Sequence, residues 1–117
     1  MDKEINFVKS FFKDEKDVHA IETIAEYIDL IKESSDKEDT KSYIRDLFSI
    51  VANFWYLKNT EKTFEELYDS GYLSYDVYSW SDGLTGEEWD NYGENKIIYC
   101  IGNAIMEADF YLEQENK

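Results

Sequence analysis

The stretch Ile44-Arg45-Asp46-Leu47-Phe48-Ser49-Ile50-Val51-Ala52-Asn53-Phe54-Trp55 decides how this chain folds. Ile44, Leu47, Phe48, Val51, Phe54 and Trp55 recur at three- and four-residue intervals. That spacing gathers them into one stripe on an α-helix and would scatter them over both faces of a strand. Just upstream, Ser35-Asp36-Lys37-Glu38 has the form of a capping box. In such a box a serine oxygen accepts a hydrogen bond from an unpaired first-turn N–H, and the glutamate reaches back. The predicted helix opens there and buries its stripe, with Leu47 in the core.

The same period extends toward both ends. Ile5, Val8, Phe11 and Phe12 mark a short amphipathic helix. A second helix runs from about Val18, with Ile21, Ile24, Ile28 and Ile31 on one face and Asp17 as its N-cap. After Trp55, Thr60 or Thr63 can cap a short helix through Phe64, Leu67 and Tyr68, ending at Gly71. Ile98, Ile101, Ile105, Ala108 and Leu112 make a last long helix, preceded by a second capping-box pattern at Thr85-Gly86-Glu87-Glu88. Gly93 and Gly102 each weaken that region by up to about 1 kcal/mol relative to alanine, and a break is expected near Gly93. From Tyr72 to Trp80, before the turn signal Asp82-Gly83, neither period holds. The expected fold is all-α: a small antiparallel bundle of four to five helices, with an irregular aromatic and acidic segment before the last one.

A chain of 117 residues fits a single domain, residues 1–117. With 43% apolar and 17% aromatic residues it can fill a core, unlike a disordered acidic tail. No apolar run could span a bilayer. The start, Met1-Asp2-Lys3-Glu4, lacks the features of a secretory signal, and Cys100 has no second cysteine to bridge to. These features point to the cytoplasm and away from a membrane partner. The absence of proline agrees with long helices.

Catalytic chemistry finds few residues to use. His19 is the only histidine, so a Ser-His-Asp or Cys-His system would have to be built on it. Glu15, Glu22 and Glu26 lie within a turn or two of it, yet a carboxylate-bridged di-metal bundle needs two Glu-x-x-His pairs. Cys100 falls in the apolar register of the last helix, with only Lys96 near to lower its pKa, and reads as a buried structural thiol. Aligning Gly83 with an EF-hand loop puts Tyr78, Trp80 and Trp89 where oxygen ligands belong. Glu87 and Glu88 are adjacent and would not face each other across a substrate. There is no phosphate-binding glycine loop and no basic patch for nucleic acid. The expectation is a protein without catalysis, metal or cofactor.

Charge carries the positive signal. Twenty-seven acids against twelve bases give a net charge of −15. A field of that size repels nucleic acid and anionic lipid and draws in basic surfaces. The acids are unevenly compensated. Residues 1–62 hold 14 acids and 10 bases, whereas residues 63–117 hold 13 acids and only Lys96 and Lys117. The segment from Tyr72 to Glu94 combines this deficit with aromatic side chains. Its candidate partner-binding residues are Tyr75, Asp76, Tyr78, Trp80, Asp82, Glu87, Glu88, Asp90, Tyr92 and Glu94. Tyr and Trp are frequent interface anchors, and carboxylates beside them pair with Arg or Lys of a partner. Some aromatics of this segment must also serve the core; Leu73, Val77 and Trp89 are the expected inward residues. Asp2, Glu4, Asp36 and Glu38 are the matching acids of the N-terminal half, against which a neutralisation of the acidic segment would be compared.

In outline the chain resembles the colicin D-type immunity proteins. The likeness lies in Asn6-Phe7-Val8-Lys9-Ser10-Phe11-Phe12 before a second helix, then in Asp46-Leu47-Phe48-Ser49-Ile50-Val51, then in an acidic aromatic segment leading into a last helix. That resemblance implies an acidic helical bundle whose carboxylates occupy a toxin's cationic cleft in place of RNA phosphates. The expected function is inhibition of a basic protein domain, a bacterial nuclease toxin or another nucleic-acid-binding protein. The rival expectation is a phage-encoded DNA mimic directed against restriction or CRISPR proteins. Such a mimic needs carboxylates at phosphate-like spacing over an elongated surface, since duplex DNA carries a charge about every 1.7 Å of its axis. Crowding of acids into one half favours a local plug.

Overall fold

The computed structural model describes residues 2–63, 65–66 and 93–115. Among them the regular elements are helical: α1 (Lys3–Phe11), α2 (Val18–Glu33), α3 (Lys37–Lys58) and α4 (Lys96–Glu115), with 3-10 turns at Glu15–Asp17 and Gly93–Asn95. The described residues form a small all-α globule, as the periodicities require.

Helix α3 lies at the centre. Ile44, Leu47, Phe48 and Val51 are fully buried, and the stripe continues through Ala52 and Tyr56. Phe54 and Trp55 sit half-buried at its rim. Trp55 thereby satisfies its indole N–H, which donates to Asp109 Oδ1 at 2.7 Å. Val8 and Phe12 of α1, and Ala20, Ile24, Ile28 and Ile31 of α2, close the core from one side. From α4 come Ile97, Cys100, Ile101, Ala104, Ile105, Ala108 and Tyr111. Ile98 and Leu112, expected in that stripe, are only half-buried. The helix is rotated so that the small residues Cys100, Ala104 and Ala108 enter the core. Close approach follows, and the Cys100 thiol points at the Ile44 carbonyl oxygen at 3.9 Å.

The expected antiparallel order holds for α1 with α2 and for α2 with α3, but not for α3 with α4. Lys32, late in α2, reaches Asp2 and Glu4 at the start of α1. Lys58, at the end of α3, reaches Asp14 and Asp17 just before α2. Against α4, however, Ile44 meets Cys100 and Trp55 meets Asp109, so positions advance together and the two helices run in the same sense. Helix α1 shares that sense: Lys3 donates to Asn95 Oδ1, and the Phe7 ring lies beside Gly102. Residues 59–95 separate α3 from α4 in sequence, far more than a tight antiparallel turn uses.

The helix caps differ from the expected ones in detail. The N-cap lies one residue beyond Ser35. Asp36 is the N-cap of α3, with extended backbone, and its Oδ1 accepts from the N–H groups of Glu38 and Asp39 at 2.9 and 3.1 Å. A carboxylate adds negative charge at the positive end of the helix dipole, which a serine hydroxyl cannot. Asp17 does precede α2, but its side chain does not cap it. It turns inward, accepts from the Asp14 N–H at 3.0 Å and pairs with Lys58. Thr63 rather than Thr60 acts as the acceptor for the next turn, taking the Glu66 N–H at 3.2 Å. The Thr60 hydroxyl donates back to the Tyr56 carbonyl. The break expected near Gly93 is present. Gly93 adopts φ +58°, a left-handed conformation suited to glycine, one 3-10 turn before α4.

Candidate interaction surface

Of the residues expected to meet a partner, Glu94 belongs to the described structure. It is exposed in the 3-10 turn leading into α4. Tyr75, Asp76, Tyr78, Trp80, Asp82, Glu87, Glu88, Asp90 and Tyr92 lie outside the described residues, as do Leu73, Val77, Trp89 and the Thr85-Gly86-Glu87-Glu88 pattern.

Because α1, α3 and α4 run in one sense, their N-termini gather at one end of the bundle. Asp2, Glu4, Asp36, Glu38, Asp39 and Glu94 accompany them. Acids are favoured there by the helix dipoles, and several are already committed. Asp2 Oδ1 caps α1 by accepting from the Glu4 N–H at 2.9 Å. Its other oxygen takes Lys32 Nζ at 2.9 Å, and Glu4 takes the same ammonium at 3.1 Å. Hydrogen bonds to Glu4 and Lys32 hold the Asp2 carboxyl well below the usual carboxylate range. Glu4 is buried. Beside this end, Leu30, Glu33, Ser34, Ser35, Asp36, Asp39 and Tyr43 line an open groove of about 260 Å³.

At the opposite end, Lys58 clasps Asp14 and the buried Asp17. Its hydrogen bond holds the Asp14 carboxyl below the usual range. Neither carboxylate was distinguishable by sequence from the exposed Glu15 between them. The Asp14-x-x-Asp17 spacing facing a late-helix lysine is the faint signal.

His19 is exposed and sets its ring edge-on to Phe54, 6.0 Å between centroids. Among the described residues no group of His, Cys, Asp and Glu is arranged to hold a metal ion. Cys100 is buried as expected, and burial pushes its thiol far up. At neutral pH it is protonated and unreactive.

One feature escaped the periodicity reading. Met106 is 67% exposed and Phe110 53% exposed, both on the side of α4 turned away from α3. With Tyr99 they form a line at i, i+7 and i+11. A helical wheel would have placed them opposite Ile101, Ile105 and Ala108. Asp109 and Glu113, both exposed, lie along one side of the line.

No family model, curated protein or solved structure matches this chain.

Proposed function

We propose that the chain is a non-catalytic acidic inhibitor that binds a basic protein domain, and that it serves as an immunity protein neutralising a bacterial nuclease toxin in the cytoplasm. The observation that carries this reading is the division of its acids. In residues 2–58 lysines and helix N-termini absorb much of the negative charge. Residues 63–117 hold 13 acids and two lysines. Charge left uncompensated on one part of a surface steers a cationic partner there. Tyr75, Tyr78, Trp80 and Tyr92 supply the anchors, and Asp76, Asp82, Glu87, Glu88, Asp90 and Glu94 the counter-charges.

The test neutralises Asp82, Glu87, Glu88 and Asp90 to Asn or Gln. Association with a basic toxin nuclease encoded beside the chain, and inhibition of its RNA cleavage, are then measured. The matched control is Glu22, Glu26, Asp29 and Glu33 of α2, all exposed. Asp2, Glu4 and Asp36 would be a faulty control, since they cap helices or hold Lys32. Association should slow, with a weaker salt dependence, in the first set only. Equal loss in both sets means a diffuse field and no defined face. Loss in neither removes the inhibitor reading. A phage operon in place of a toxin gene would turn the assignment to a DNA mimic.

A further inference from the structure

We infer that the outward face of α4 is a second docking surface, and that its occupant is a cationic amphipathic helix of the partner protein. Two large apolar side chains, Met106 and Phe110, stand one turn apart in solvent on a regular helix. Two amphipathic helices pack side by side through apolar residues one turn apart, and an unbranched methionine adapts its shape to the surface it meets. Their surroundings set the partner's charge. Glu113, and Asp109 whose Oδ1 accepts from Trp55, lie along one side of the pair, and no lysine or arginine occurs between Lys96 and Lys117.

That rim disfavours two other occupants. A second copy would bring another net charge of −15 and the same acids against these. The chain's own segment between Thr63 and Asn95 carries nine acids and no base. Leucines of a basic helix pack on Met106 and Phe110, while its lysines or arginines pair with Glu113 and with the Asp109 oxygen that Trp55 does not use. The inference rests on the proposed function only in taking the partner to be basic.

The probe is a leucine–lysine peptide with leucines at helical spacing, compared with an oligolysine of equal charge. Both are titrated into the full chain by calorimetry. The leucine–lysine peptide should bind more tightly. Met106→Gln with Phe110→Gln should weaken it about tenfold or more, to the level of oligolysine, while the melting temperature holds. Met106→Leu keeps an apolar surface and should retain binding. If the double variant binds the peptide as well as the wild type does, the α4 face is wrong and the acidic-inhibitor reading stands. If the wild type binds neither peptide, both fail. If sedimentation shows self-association that the double variant abolishes, a second copy covers the face and the inference is overturned.

Discussion

Acidic residues serve opposite ends in the two halves of this molecule. In residues 2–58 five of them are structural, while Glu22, Glu26, Asp29 and Glu33 lie exposed along α2. Asp2 and Asp36 cap helices, Glu4 and Asp17 are buried against Lys32 and Lys58, and Asp14 shares the second lysine. In α4 the acids Asp109 and Glu113 are exposed beside apolar side chains that are exposed too. The difference is whether a base or a helix N-terminus stands within reach. Where one does, a carboxylate helps to fix the fold, as Asp109 also does through the Trp55 indole N–H; an exposed carboxylate such as Glu113 leaves its field available to a partner. Net charge alone would merge these roles.

The largest expected effect concerns α3, on which both regions pack. Leu47→Ala should cost about 2–5 kcal/mol in urea unfolding, because the side chain is fully buried. A loss below about 0.5 kcal/mol would mean that α3 is not the common core.

Lys58→Met comes next. It leaves Asp17 buried without its cation, and removal of one partner of a buried pair costs about 3–5 kcal/mol; the partial exposure of Lys58 places this variant near the lower figure. A change within about 0.5 kcal/mol would show that the acids of the first half are as dispensable as those of the second. Lys32→Met should cost less, since that lysine is 40% exposed.

Asp36→Ala should cost about 1 kcal/mol by uncapping α3, and Ser35→Ala close to nothing. The reverse order would restore Ser35 as the cap.

Acid should weaken the fold through carboxylates of the first half. The Asp2 carboxyl is held low in the folded chain by Glu4 and Lys32, and that of Asp14 by Lys58. A depressed folded pKa contributes stability that is complete above the unfolded value, about 3.9, and is lost as pH falls through the folded one. Stability should thus be level from neutral pH down to about pH 5 and fall below about pH 4. Lys32→Met should flatten that fall. An equally steep fall in the variant would deny Asp2 its role.

The smallest effect is Met106→Ala, within about 0.5 kcal/mol, since its side chain already faces solvent. A loss of core size would mean that something in the folded chain covers the α4 face.

Among the described residues the helical segments, and most of what they bury, were legible from sequence alone; the short helix expected through Phe64, Leu67 and Tyr68 to Gly71 lies outside them. Helical period is local: Ile24, Ile28, Ile44, Leu47, Phe48, Val51, Ile101 and Ile105 share stripes whatever lies opposite them, and all are buried. The scarcity of reactive side chains was equally legible, with His19 exposed and Cys100 buried. Tertiary structure alone decided the rest. The sector of α4 that faces inward depends on what packs against it, which brings Ile97, Ala104 and Tyr111 into the core in place of Ile98 and Leu112. The shared sense of α3 and α4 depends on where the long intervening chain returns, which no short-range pattern encodes. Asp17 and Glu4 became internal only because Lys58 and Lys32, distant in sequence, came within reach of them. A carboxylate carries the same charge in any sequence; its partner, supplied by the fold, determines whether that charge is spent inside or presented outside.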